Sequence, residues 1–421
     1  MTARRGNLAG GFWLVRVGAA CLVSTLACGS EDASPNGPSG GAASGGTQAG
    51  VSGGTAGAPG AQAGAAGVAG GAPAMAGQSG GAGDFAGAGA GGSSGSAQGG
   101  AGGMAGSGLG GSGGGGGVPT TPSGPNVTAA KARHEHRFRA KDADAAVSFN
   151  DNSEIAVIDN RAPKLVGKLV LPFGGVGTNA GTLEAGGEFC ARRGFHVLGV
   201  AAFQDYDIVS KGADFFGDAR RTVFEGVLHT REGEFASIPM TRADGVAQRT
   251  QKALEYLQAK FPDEGWGYYL DEAGAVRWSD VIFSGFSHGG SNALRFAFLV
   301  GAARAVSLSA PRDNLCTTMD MSSCGGVVAT WLSETPKTAK DRFFAITGKS
   351  DDQHLQHLFT MAKVGYSGTA TSIQGAEPPY GDSHRLIADA AHTDFCQSAT
   401  YQKACNYVFG VPTENQAGVP N

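Results

Sequence analysis

One hexapeptide concentrates the chemistry of this chain: Gly285-Phe286-Ser287-His288-Gly289-Gly290. An apolar run, Val281 to Phe286, leads into it, and a stretch with helical spacing over 288–300 follows and stops at Gly301. A serine on such a strand-to-helix turn is held in a strained conformation with its hydroxyl exposed. Gly285 and Gly289 suit the turn, because a side chain at either place would strike the neighbouring strand or helix. The helix N-terminus beneath the serine favours developing negative charge. The chemistry expected of Ser287 is nucleophilic attack. A hydroxyl is a poor nucleophile at neutral pH, so a base must take its proton and a further group must orient that base.

The elements around this turn read as strand and helix in alternation from Glu154 onward. Val166 to Phe173 is an apolar run that ends in Gly174-Gly175, as a strand feeding a tight loop does. Residues 181–193 read as a helix stopped by Gly194. Val197 to Phe203 reads as a strand, and residues 242–261 as an amphipathic helix. Ala305 to Ser309, Phe343 to Thr347 and Arg385 to Ala388 follow as strands, with a helix marked by Leu355, Leu358 and Phe359. This order predicts an α/β fold with a mostly parallel central sheet and helices on both faces. Ligands in such sheets sit at the carboxyl ends of the strands. Residues 174–179, 287–290, 310–316, 348–354 and the loop after 388 therefore share one rim. Two long stretches, 204–240 and 310–340, break the alternation and are expected to shape a pocket or a lid.

With these elements in place, residues 165–405 resemble the α/β-hydrolase superfamily. That family orders its triad as nucleophile, acid, histidine. The resemblance implies that the acid lies in Thr347-Gly348-Lys349-Ser350-Asp351-Asp352, with Asp351 the first choice, Asp352 its rival and Asp313 a weaker candidate. It implies that the histidine is His392, in Ala390-Ala391-His392-Thr393-Asp394. His384, His354 and His357 read as structural or loop residues. The oxyanion donors it implies are the N–H of His288 and one from Gly174 or Gly175, although Pro172-Phe173 stands where the lipase form has a histidine. Each such donor typically lowers the barrier by about 3 kcal/mol. Hydrolysis of a carboxylic ester is the default reading. A peptidase or acyltransferase with the same triad, and a non-catalytic surface binding protein on this scaffold, are the alternatives.

Composition sets the rest of the chain apart. Residues 29–125 hold 38 of the 72 glycines and only three charges, Glu31, Asp32 and Asp84. Such a segment has too little large apolar surface to offset the backbone entropy of folding, and reads as a disordered leash. Residues 126–421 read as one folded domain. The first 28 residues read as an export signal, with Arg4 and Arg5 followed by a short apolar run that ends in Thr25-Leu26-Ala27-Cys28. This resembles a bacterial lipoprotein signal with Cys28 as the lipidated residue, although Thr25 stands where Leu is usual; cleavage near Ala27 and plain secretion is the alternative. The protein is thus expected in the bacterial cell envelope or outside it, with membrane contact only through the N-terminal anchor.

The spacings Cys316/Cys324 and Cys396/Cys405 suit two local disulfides in an oxidising compartment, which leaves Cys190 as a small buried residue. The formal net charge of -4 offers no basic face for nucleic acid. The basic cluster at 131–141, with His134-Glu135-His136, reads as a solvated charged stretch rather than a metal site. No Walker loop, His-Glu-x-x-His or dinucleotide fingerprint occurs, so no cofactor and no catalytic metal is expected. The expected partner is an ester substrate, bound by a monomer.

Overall fold

A computed structural model describes residues 124–207, 211–316 and 321–420. The export signal with Cys28, and the leash at 29–125 apart from its last two residues, lie outside the described residues. Within them, nine strands form one sheet in the order β1-β2-β4-β3-β5-β6-β7-β9-β8. The strands are β1 (Arg133–Arg139), β2 (Ser153–Asp159), β3 (Leu169–Phe173), β4 (His196–Gly199) and β5 (Val281–Phe286). β6 (Arg304–Leu308), β7 (Phe343–Gly348), β8 (Thr371–Ser372) and β9 (Arg385–Ala388) complete it. β2 pairs antiparallel with both β1 and β4, and every pairing from β4 to β8 is parallel. The α/β class with its mostly parallel sheet is therefore as expected.

The parallel strands are apolar on both sides because helices cover both faces. Along β3, Leu169, Leu171 and Phe173 pack into one core and Val170 into the other. The first core receives α3 (Ala213–Glu225), α4 (Val246–Lys260) and α5 (His288–Leu299), together with Met361 and Val364 of α6 (His354–Val364). The second receives α2 (Gly187–Ala191) and α7 (Gln402–Phe409). The remaining helix, α1 (Ala140–Ala143), is a single turn after β1. No helix among the described residues is long and apolar enough to cross a membrane.

The chain passes from β3 outward to β4 and then returns across β3 to β5, so the strand order reverses there. Such a switch point opens a crevice at the carboxyl ends of the flanking strands. Phe173 pairs with Gly285, which brings the loop after β3 against the turn after β5.

Three readings change. The basic cluster at 131–141 is edge strand β1 and α1 rather than a solvated stretch of linker. Phe138 is buried, and His136 stacks on Phe261 at 3.5 Å and donates to Glu264 at 2.9 Å. Charged side chains alternating outward are a common way for a sheet edge to resist further pairing. The helix expected over 181–193 is confined to Gly187–Ala191. The stretch 204–240 is not only loop, since it holds the 13-residue α3.

Candidate active site

Ser287 joins β5 to α5 with φ 54° and ψ −121°, a region that residues with a side chain rarely adopt. Glycine is required on both sides of it. A Cβ on Gly285 would collide with the carbonyl of Gly289, and a Cβ on Gly289 with the carbonyls of Phe173 and Gly174. That close approach holds the loop after β3 against the Ser287 turn. A Cβ placed on Gly175 would stand 3.8 Å from Cβ of Ser287. The N–H of His288, at the first position of α5, has no acceptor four residues back within the helix. Gly175 thus approaches Ser287, Gly174 lies against Gly289, and His288 follows Ser287 in the chain. The His288 side chain lies against Tyr206, with ring centroids 4.5 Å apart, and burial holds its pKa well below the usual imidazole value.

The acid and base candidates come from the next strands outward. His392 Nδ1 donates to Oδ2 of Asp351 at 2.8 Å. The Asp351 side chain is fully buried, whereas that of His392 is 30% exposed. Burial alone would raise the Asp351 pKa. The hydrogen bonds from His392 and from the backbone N–H of Gln353 outweigh it and hold the carboxyl at about 2. The rival Asp352 is exposed. Asp313 is buried in an ion pair with Arg220, at 2.6 and 2.9 Å, and has no part in the Asp351–His392 pair. Behind Asp351, His357 Nδ1 lies 3.0 Å from Thr347 Oγ1 and 3.8 Å from the carboxylate, and burial pushes its pKa down to about 3. His384 stacks on Phe344 at 3.8 Å, a packing role. His354 opens α6, with Nδ1 3.3 Å from Thr347 Oγ1.

Backbone contacts lace the two loops together. The amides of Lys349 and Ser350 donate to the carbonyls of Ala388 and Ala390 at 2.8 and 2.9 Å. Phe286 packs on His392 with ring centroids 5.0 Å apart, which sets the imidazole beside the residue preceding Ser287. Ser309, after β6, is a residue that sequence reasoning missed. Its hydroxyl donates to the Thr393 carbonyl at 3.0 Å and accepts from the Thr393 amide at 3.1 Å, which pins the chain next to His392. Its positive φ (47°) comes from the fold, so no motif announces it. Cys396 pairs with Cys405, tying the end of the His392 loop to α7, and Cys316 pairs with Cys324 in the second insertion. Cys190 is free and buried in α2.

Ser287, His288 and Val176 line a cavity of about 600 Å³ with Asp205, Tyr206, Glu234, Ser291, Ser309 and Arg312. Its walls come from the β3 loop, the first insertion, the start of α5 and the chain after β6, and they mix polar groups with apolar surface. Such an arrangement can carry nucleophilic catalysis: a strained serine, a histidine held by an ionised carboxylate, and unpaired N–H groups at a helix N-terminus.

No family model matches this chain, and neither does any curated protein. Solved structures to which it is similar include the fluorophosphonate-binding serine hydrolase F of Staphylococcus aureus, substrate bound. The identity is 13%, over 66% of this chain and 98% of that one, at a TM-score of 0.35. The S-formylglutathione hydrolase of the same organism matches at 12% identity over 69% and 99%, TM-score 0.37. An S-formylglutathione hydrolase from Agrobacterium tumefaciens matches at 12% over 68% and 96%, TM-score 0.36.

Proposed function

We propose that this chain is an exported serine hydrolase that cleaves a carboxylic ester through an acyl-enzyme intermediate. One observation carries the reading: a serine at positive φ lines a cavity, and the residue before it packs on a histidine whose Nδ1 is held by a buried, ionised aspartate. His392 takes the Ser287 proton as Oγ attacks the ester carbonyl. Asp351 keeps the imidazole in the tautomer with its proton on Nδ1 and stabilises the cation that forms. The N–H of His288 and one from Gly174 or Gly175 receive the oxyanion, each contributing about 3 kcal/mol. The tetrahedral adduct collapses, the C–O bond to the alcohol breaks, and the alcohol leaves with the proton from His392. Water, deprotonated by the same histidine, then releases the acid and returns Ser287 to its starting state.

Export belongs to the same proposal. It is supported by the residues before Cys28, and disulfides such as Cys316–Cys324 and Cys396–Cys405 are compatible with an oxidising compartment. Lipidation of Cys28 would hold the chain in the envelope, and a Cys28→Ser variant released into the medium is the expected sign of it.

The test of the activity is labelling of the full chain with a fluorophosphonate probe. Label on Ser287 is expected, absent from Ser287→Ala and greatly slowed in His392→Ala. A folded protein that takes no label and hydrolyses no p-nitrophenyl ester would overturn the reading.

A further inference from the structure

A chain of buried polar groups runs from the second insertion to the loop after β3. It begins at Trp331, whose Nε1 donates to Oδ2 of Asp313 at 2.9 Å. Asp313 holds Arg220 of α3 through two hydrogen bonds, and both side chains are fully buried. Arg220 Nη1 donates to Oδ1 of Asn292 in α5 at 2.7 Å. Tyr206 donates to the same oxygen at 2.9 Å, its phenol kept protonated because burial pushes its pKa up to about 12. Asn292 Nδ2 then donates to Oε1 of Gln204 at 3.2 Å, and Gln204 Nε2 donates to the carbonyl of Thr178 at 3.1 Å.

Chemistry at the two ends sets the direction of this chain. A guanidinium can only donate and a backbone carbonyl can only accept, so both amides between them have one permitted orientation. From Arg220 onward the donors along the chain, Arg220 Nη1, Asn292 Nδ2 and Gln204 Nε2, point toward the β3 loop, while Asp313 accepts from both of its neighbours; aligned hydrogen bonds in a dry interior polarise one another. Gln204 grips that loop at two further places: its amide donates to Asn179 Oδ1 at 2.8 Å, and its carbonyl accepts from the Gly177 amide at 3.2 Å. The loop is closed on itself by the Thr178 amide donating to the Gly175 carbonyl at 3.2 Å. At the other end Arg220 Nη1 also reaches the carbonyl of His288, at 3.5 Å.

We infer that Gln204, Asn292 and Arg220 are positioning residues that set the β3 loop against the first turn of α5, and so the spacing of the oxyanion donors on either side of Ser287. The inference rests on the hydrolase reading above, since that reading makes the spacing matter. A loop gripped at three points on one glutamine, whose side chain is wired through Asn292 to a charge buried on α3, cannot drift without breaking the Gln204 bonds to Thr178, Asn179 or Gly177. Because the oxyanion exists only along the reaction and not in the bound ester, loosening the loop lowers kcat and leaves KM nearly alone.

Two substitutions each cut one bond. Asn292→Asp keeps the acceptor that Arg220 and Tyr206 use and removes the donor to Gln204. Gln204→Glu keeps an acceptor for Asn292 and removes the donor to Thr178. Both are made in the full chain and assayed on a p-nitrophenyl ester, with kcat expressed per site titrated by fluorophosphonate, so that unfolded molecules do not count. Each is expected to lower kcat about tenfold with KM within about twofold. The double variant should be no worse than the more severe single one, because both cuts sever the same chain. Unchanged kcat per titrated site in either variant overturns the inference, even if fewer sites survive, since that is the mark of a merely structural role. A parent chain that takes no label defeats the hydrolase reading instead, so the two failures are told apart.

Discussion

Asp351 and Asp313 follow adjacent parallel strands, β7 and β6, and both are buried, yet the structure puts them to different uses. Asp351 meets a histidine that is 30% exposed beside the nucleophile turn, whereas Asp313 meets an arginine that no solvent reaches. Histidine can give up its proton near neutral pH, so an aspartate behind it can steer proton transfer. Arginine cannot, so an aspartate paired with it can only hold shape. Burial and position on the rim are nearly the same for the two acids, and the partner decides the role.

The sharpest way to break this comparison is Asp351→Asn. It should lower kcat by roughly a thousandfold to ten-thousandfold, by favouring the wrong tautomer of His392, with little change in denaturant midpoint. A small loss of kcat would move the acid role elsewhere. Next in size, Asp313→Asn leaves the Arg220 charge buried with half its partner and should cost about 3–5 kcal/mol of stability, read from denaturant unfolding. Equal midpoints for the two variants would erase the distinction. The smallest effect concerns His357, behind Asp351. Its folded pKa of about 3 lies below the unfolded value, so its contribution is complete above about pH 6.5 and is lost as pH falls toward 3. Unfolding followed from pH 7 to pH 4 should show a slope shallower by about 1 kcal/mol per pH unit in His357→Gln than in the parent. Parallel slopes would mean that His357 is not held neutral.

Much of this was legible beforehand for local reasons. The strand, the turn with its two glycines and the following helix occupy contiguous residues, 281–300, and β5 has the expected bounds, Val281–Phe286. Asp351 could not be separated from Asp352 by reading, because the two are neighbours; only the packing exposes one and buries the other. β1 escaped because its seven residues carry six charged or titratable side chains and bury only Phe138, so no apolar alternation marks it. α3 escaped because Gly217 interrupts its pattern, at the place where a Cβ would press on Trp331.

By itself, then, the sequence determined the alternation of strands and helices, the strand-to-helix turn at Ser287 and the pairing of nearby cysteines. These rest on backbone sterics, apolar periodicity and short spacing, which act over a few residues. Only the tertiary structure decided which aspartate meets His392, which residues wall the cavity, that Ser309 pins the chain beside His392, and that Gln204, Asn292 and Arg220 form one hydrogen-bonded chain. Those contacts join distant residues: His392 is 41 positions from Asp351, and Arg220 is 72 from Asn292 and 93 from Asp313, so nothing short of the packed sheet brings them together.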